Sequence, residues 1–404
     1  MHPTRRELLA SAAALAAASR AASGAELAQA PSAGASRPPT GFDPWVEVHA
    51  ANLAHNLREV ARAAKGQPVL AVVKNNGYGL GVTTVARLLE PATAVSGFAV
   101  VKLQEAHALR DAGIRKPVML MGPLEERDLR DVHMRGITPM VYTAVGDALE
   151  RAATGVGRPL PIHIKVDTGM GRVGVPYKDA EPLIRDLAAR KGVRIDGVMT
   201  GLTEDLEFDR EQLRRFVALT ARLATDGVPI GRRHAASTYT FFQHPDVLLD
   251  MVRPGMALWG IYPEQAFRVQ GVVDLRPAVA LRARVAYVKQ LAAGTSAGYS
   301  RAFMATEDTW VATVPVGHAD GWPRLAAKGA SLRIGGRPYP VVASVSASHT
   351  IVNLGRTTTV QAGDIATCFD WETGSRPEDV AAACGASVYD LTMHLGGHLS
   401  RWVV

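Results

Sequence analysis

The chain has 404 residues, 47% of them hydrophobic and 21% charged, and a formal net charge of +7. That length and balance exclude a disordered or fibrous chain and leave room for two domains. Basic and acidic residues are interspersed, without a Lys/Arg block or interleaved aromatics, which argues for a soluble basic surface and against a nucleic-acid binder.

Residues 1–30 read as a twin-arginine signal peptide. Arg5-Arg6 precedes an Ala-rich apolar stretch, and Ala28-Gln29-Ala30 is a small-x-small cleavage site. That route predicts a periplasmic protein. Residues 31–43 are a Ser/Gly/Pro/Ala-rich linker. The remaining ~374 residues carry a net charge near +6 and no apolar run as long as a membrane span, so no membrane contact is expected.

From Trp45 onward, apolar runs alternate with helix-like stretches. The runs are 69–73, 97–101, 118–121, 138–141, 162–166, 193–199, 233–236 and 256–261; the helical segments include 51–64, 103–112 and 211–224. Eight such repeats predict an α/β fold, a (β/α)8 TIM-like barrel over residues 44–270. Within it, Lys74 ends the apolar run Val69–Val73 and opens Asn75-Asn76-Gly77-Tyr78-Gly79. Burial there disfavours an ammonium and favours the nucleophilic amine that Schiff-base chemistry needs. The bland alternative is a strand-ending lysine that snorkels to water.

Farther on, Gly169-x-Gly171-x-x-Gly174 follows a strand, and Asp196 lies downstream, so the spacing also fits a dinucleotide loop. An NAD(P)-dependent oxidoreductase is therefore the competing reading. From residue 271 to 404, short alternating segments and a Gly335-Gly336 turn predict a β-rich domain. Cys368 and Cys384 are the only cysteines; an oxidising compartment permits a bridge, and two unpaired core thiols are the alternative. His394 and His398 flank two glycines that make a shared helix face poor, and no metal site is expected.

Four strings carry a family resemblance. Lys74-Asn75-Asn76-Gly77-Tyr78-Gly79-Leu80-Gly81 resembles the alanine racemase motif KANAYGHG, and Lys165–Gly174 resembles KVDTGMGRLG. Met251–Gly260 resembles MVRPGIALYG, with His234–Thr238 upstream similar to HAANS. Gly298-Tyr299 and Val316–Gly321 are similar to the family's GYG tyrosine and VGYADG strings. Trp45–Val60 fits the opening segment, so the resemblance spans essentially the whole chain after the linker. It implies a pyridoxal 5'-phosphate-dependent amino-acid racemase of the fold-type-III class, acting on alanine or a broader set of small-molecule substrates. It also implies a homodimer with shared active sites.

The resemblance implies these roles. Lys74 would carry the cofactor and act as one acid/base; Tyr299 of the second subunit would be the other. Tyr78, Ser237, Thr238 and the amides of Gly255 and Met256 would hold the phosphate. Arg253 would pair with the pyridine nitrogen. Arg172 would meet the cofactor's phenolic oxygen and the substrate carboxylate. Lys165, carbamylated, would orient Arg172. Ala347 and His318 would face the substrate.

Four positions depart from the pattern: Gly201 stands for a histidine, Ser348 for an acid, His318 for a tyrosine, and Gly397 for a tyrosine that narrows the pocket. Loss of bulk at 201 and 397 predicts a wider pocket and broad specificity. Loss of the histidine alternatively predicts a catalytically weak cofactor-binding protein.

Overall fold

The computed structural model describes residues 40–245 and 247–404. The proposed signal peptide and most of the linker lie outside them. Nineteen strands form, in chain order, β1 (Trp45–Val48), β2 (Val69–Val72), β3 (Val95–Val100), β4 (Val118–Leu120), β5 (Ile137–Val141), β6 (Leu160–Asp167), β7 (Val175–Pro176), β8 (Val193–Met199), β9 (Arg232–His234), β10 (Val279–Arg284), β11 (Tyr287–Leu291), β12 (Ser296–Ala297), β13 (Phe303–Met304), β14 (Thr309–Val314), β15 (Ser331–Ile334), β16 (Arg337–Val342), β17 (Thr350–Gly355), β18 (Ile365–Phe369) and β19 (Ser400–Val403).

The first sheet is all parallel in the order β2-β3-β4-β5-β6-β8-β9, with β7 on the end of β6. Helices cover its outside, so a strand such as β2 is buried throughout and reads as an unbroken apolar run. The expected eighth strand, 256–261, is not one. Met256–Trp259 forms a 3-10 turn, and the barrel is closed earlier by 252–254. Leu70 N donates to Val252 O (2.9 Å) and Val72 N to Pro254 O (3.0 Å), while Arg253 N donates to Ala236 O (2.8 Å). A short apolar run buried on every side has no periodicity to tell strand from turn.

The second sheet runs β11-β14-β17-β16-β15-β18-β10-β1-β19. Its β1 comes from before the barrel and pairs parallel with β19 and antiparallel with β10, so both ends of the described chain tie the β-domain to the barrel. Gly335 and Gly336, at φ 56° and 80°, make the two-residue turn between β15 and β16. Cys368 and Cys384 are both buried and free, and no bridge joins them. Among the described residues, no helix is long and apolar enough to cross a membrane.

Candidate active site

Lys74 stands at the C-terminal end of β2, where parallel barrels place their ligands. The chain then turns the wrong way. Asn75, Asn76, Gly77 and Tyr78 have φ of 53°, 54°, 63° and 54°, four successive left-handed residues. Such backbone costs roughly 1–2 kcal/mol per ordinary L-residue, and asparagine and glycine tolerate it best, which explains the composition of the motif. Glu105 holds the turn: its Oε1 accepts from Asn76 N (2.8 Å), and its Oε2 accepts from Val101 N (3.3 Å) and Lys102 N (3.2 Å). Arg401 donates to Gly79 O (3.0 Å), pinning the far end of the turn to the C-terminal strand. Burial, and then the Arg172 charge, push the Lys74 ammonium below its ordinary range, while Glu105 acts in the opposite sense.

The turn presents Tyr78 to a second backbone element. A Cβ on Gly255 would sit 2.2 Å from Tyr78 Oη, so residue 255 is glycine to let that hydroxyl reach the start of the Met256–Trp259 turn. Tyr78 is buried, and its hydroxyl donates to nothing among the described residues. Thr238 Oγ1 accepts from Gly255 N (3.0 Å) and Ala257 N (3.4 Å) in the same corner. Ser237 is committed locally: its Oγ caps the helix Thr238–Gln243 by accepting from Thr240 N (3.3 Å).

Beside this corner lies a buried guanidinium. Arg253 donates through Nη1 to His234 Nδ1 (2.9 Å) and through Nη2 to Thr200 O (2.9 Å) and Ala235 O (3.2 Å); its Nε is left without a partner among the described residues. Burial pulls its pKa down to about 10, so it remains a cation at neutral pH. Lys165 is buried too, and burial together with Arg253 and Arg172 lowers its amine to about 7. Its Nζ lies 2.8 Å from the place a Cβ on Gly201 would take. Arg172, by contrast, is exposed and unpaired among the described residues, within electrostatic reach of Lys74 and Lys165.

The glycine loop after β6 is not free for a dinucleotide. Asp167 Oδ1 accepts from Gly169 N (2.9 Å), and its Oδ2 accepts from Gly171 N (2.9 Å), so a carboxylate already sits where a pyrophosphate would need those amides. No helix starts at the loop; β7 follows it and the next helix opens only at Ala180. This overturns the oxidoreductase reading.

Tyr299, His318 and Ala347 all follow β10 and belong to the β-domain. Tyr299 projects from the β-domain, 74% exposed, on a turn that Ser300 and Arg301 close in left-handed conformation. His318 and Ala347 share a loop pair, with His318 N donating to Ser346 O (3.0 Å) and Ala319 N to Ala347 O (3.0 Å). Arg401, which donates to Gly79 O, also links Gly397 to the Lys74 turn. Gly397 lies at the root of β19, its carbonyl accepting from Arg401 (3.0 Å), and a Cβ there would meet nothing. The helix Val388–Met393 packs on the Lys74 turn through Met393 and Asn75, and its Tyr389 acts electrostatically on Tyr78. His394 and His398 turn to different acids, Asp390 and Asp320.

Sequence reasoning missed Glu105 and His163. Glu105 had one available signal, an acid in the first turn of a helix just after a strand. His163 had another, its place two residues before Lys165 and so on the same face of β6.

Comparison with known proteins decides the family. The pattern described as "Alanine racemase, N-terminal domain" matches residues 48–263, and "Alanine racemase, C-terminal domain" matches 278–403. The chain belongs to the alanine racemase family. The alanine racemase of Desulforamulus reducens is 31% identical over 88% of this chain and 98% of its own length, and that of Sorangium cellulosum 34% over 88% and 97%. Among solved structures, the Streptomyces lavendulae alanine racemase is 29% identical with a TM-score of 0.84, covering 91% of this chain and 98% of its own. The Clostridium difficile 630 alanine racemase has a TM-score of 0.84 at 25% identity, covering 91% and 97%.

Alanine racemases depend on pyridoxal phosphate, and this member is an amino-acid racemase. The residues fit that cofactor. The unpartnered Tyr78 hydroxyl beside the Gly255–Met256 backbone wants an acceptor such as a phosphate oxygen. The free Nε of Arg253 wants an acceptor such as a ring nitrogen, and the Lys74 amine can bond covalently to an aldehyde.

Proposed function

We propose that this racemase interconverts L- and D-alanine by moving the α-proton between Lys74 Nζ on one face and Tyr299 Oη of the partner subunit on the other. The observation that carries this is the Lys74 turn: an amine lowered by burial, on a strained backbone that also delivers an unpartnered hydroxyl for a phosphate. Bound pyridoxal phosphate supplies the electron sink that makes an α-hydrogen acidic. Arg253, a permanent cation at the ring nitrogen, disfavours protonation there and so tempers that sink. Lys74 accepts the proton from one enantiomer, Tyr299 donates from the opposite side, and the reverse reaction exchanges the two tasks. Arg172 offers a planar fork to the substrate carboxylate. The decisive assay is exchange in heavy water: alanine that keeps its rotation and its α-hydrogen in the presence of enzyme and cofactor sinks the proposal.

The second subunit is part of the reading because Tyr299 is 74% exposed and makes no interaction with Lys74 of its own chain. In a two-fold dimer each site takes one residue from each copy. Co-expressing Lys74→Ala with Tyr299→Phe should recover about a quarter of wild-type activity, since half the dimers are mixed and each holds one intact site. No recovery above either parent argues against shared sites.

Alanine is favoured over a broad set because the curated relatives are named alanine racemases and one of the two glycines offered as a sign of a wider pocket, Gly201, opens none. Lys165 Nζ fills the space over Gly201, whereas a Cβ on Gly397 would meet nothing within 4 Å. Turnover of serine, lysine or arginine matching that of alanine would count against this. Lys165, with an amine near pH 7, is suited to carbamylation by carbon dioxide. Export to the periplasm rests on the sequence of residues 4–30 alone. Replacing Arg5-Arg6 by lysines should retain the protein in the cytoplasm on fractionation.

A further inference from the structure

A pair of buried imidazoles continues inward from Arg253. His234 receives the guanidinium on Nδ1 (2.9 Å) and meets His163 Nδ1 through its own Nε2 at 2.8 Å. Direction along this line is forced. A guanidinium can only donate, so His234 Nδ1 must accept and its proton must sit on Nε2. That N–H then donates to His163, whose Nδ1 must accept in turn. Both rings are held neutral in the Nε2–H tautomer, and the cationic charge stays on Arg253.

We propose that His163 is a positioning residue for Arg253: by accepting from His234 it keeps that ring's Nδ1 lone pair aimed at the guanidinium, and so fixes where the free Nε points. This rests on the reading that Arg253 faces the cofactor ring.

Three further observations support it. Among the described residues Arg253 has no carboxylate partner; its other acceptors are the carbonyls of Thr200 and Ala235, so His234 is the only described side chain that orients it. The imidazole of His163 has room reserved for it. A Cβ on Gly197 would lie 2.6 Å from His163 Nδ1 and 2.7 Å from Arg232 O, and Gly197 does not adopt the left-handed backbone that would otherwise explain a glycine. Burial favours the neutral ring at both positions: it lowers His163 to about 4 and His234 well below its usual range. Asp196 acts on His163 in the opposite sense, with Arg253 and Arg232 reinforcing burial.

The test uses the holoenzyme. Nitrogen-15 spectra of labelled histidine should show both rings as Nε2–H tautomers. His163→Leu keeps volume and removes the acceptor, and it should weaken retention of pyridoxal phosphate about tenfold. His163→Asn places Oδ1 where the ring Nδ1 was and should restore affinity to within about threefold of wild type. A His234 ring protonated on Nδ1 overturns the proposal. So does a His163→Leu protein that melts earlier but holds the cofactor as tightly as wild type, because that marks the pair as packing alone. Should His163→Leu fail to fold, the wild-type tautomer and the affinity of His163→Asn decide, and a tenfold loss in His163→Asn overturns it. A wild-type protein that takes up no pyridoxal phosphate sinks the functional reading itself, which is a different result.

Discussion

Lys165 reaches over Gly201, its Nζ 2.8 Å from the point where a Cβ on residue 201 would be. The two positions are complementary: the long side chain occupies the space the missing one leaves. The neighbour is the far end of a flexible chain and the backbone at 201 has no positive φ, so Gly201→Ala should fold normally while displacing the amine. Moving a group in the site by about 1 Å can cost up to about 100-fold, so kcat should fall between about 10- and 100-fold with the melting temperature nearly unchanged. Unaltered kcat would separate the place of Lys165 from catalysis.

The same amine predicts a pH signature of stability. Folded, Lys165 titrates near 7, whereas an unfolded lysine titrates near 10.5. Between those values the unfolded chain binds more protons, so this group makes stability rise with pH, by at most about 1.4 kcal/mol per pH unit. Below pH 7 both states are protonated and its full destabilising effect is present. Lys165→Met should therefore gain most at and below neutral pH and lose that advantage towards pH 10. Denaturant melts of both proteins at four or five pH values, in carbonate-free buffer, check this; parallel curves would refute it.

Glu105 supports the left-handed turn from outside the catalytic set. Glu105→Ala leaves the amides of Asn76, Val101 and Lys102 without their acceptor. A loss of about 3 kcal/mol in unfolding free energy is expected. Glu105→Gln keeps acceptor capacity on one side-chain oxygen and should lose less. Equal loss in the two variants would show that only the carboxylate charge matters.

Tyr78→Phe removes one hydroxyl and nothing else from the corner at Gly255. The fold should be unaffected, because that hydroxyl has no partner among the described residues. The dissociation constant for pyridoxal phosphate should rise about tenfold, one charge-assisted hydrogen bond's worth. Unchanged affinity would remove Tyr78 from the phosphate site.

Much of the site could be read from the sequence because the chemistry is local to short strings. The turn after β2 needs residues that tolerate left-handed backbone, and Asn75-Asn76-Gly77 supplies them; Gly255 needs to be small for Tyr78 to approach. The Gly169–Gly174 loop misled, because spacing alone does not say that Asp167 already holds its amides.

The amino-acid order by itself determined the alternation of strand and helix, the lysine at a strand end and the family strings, since each depends on neighbours within a few residues. Only the tertiary structure decided that 252–254 closes the barrel, that Glu105 braces the Lys74 turn, and that His163, His234 and Arg253 form one line. Those contacts join residues 29, 71 and 19 positions apart. Hydrogen bonds and packing across such separations leave no periodic trace, because they depend on where whole strands come to rest.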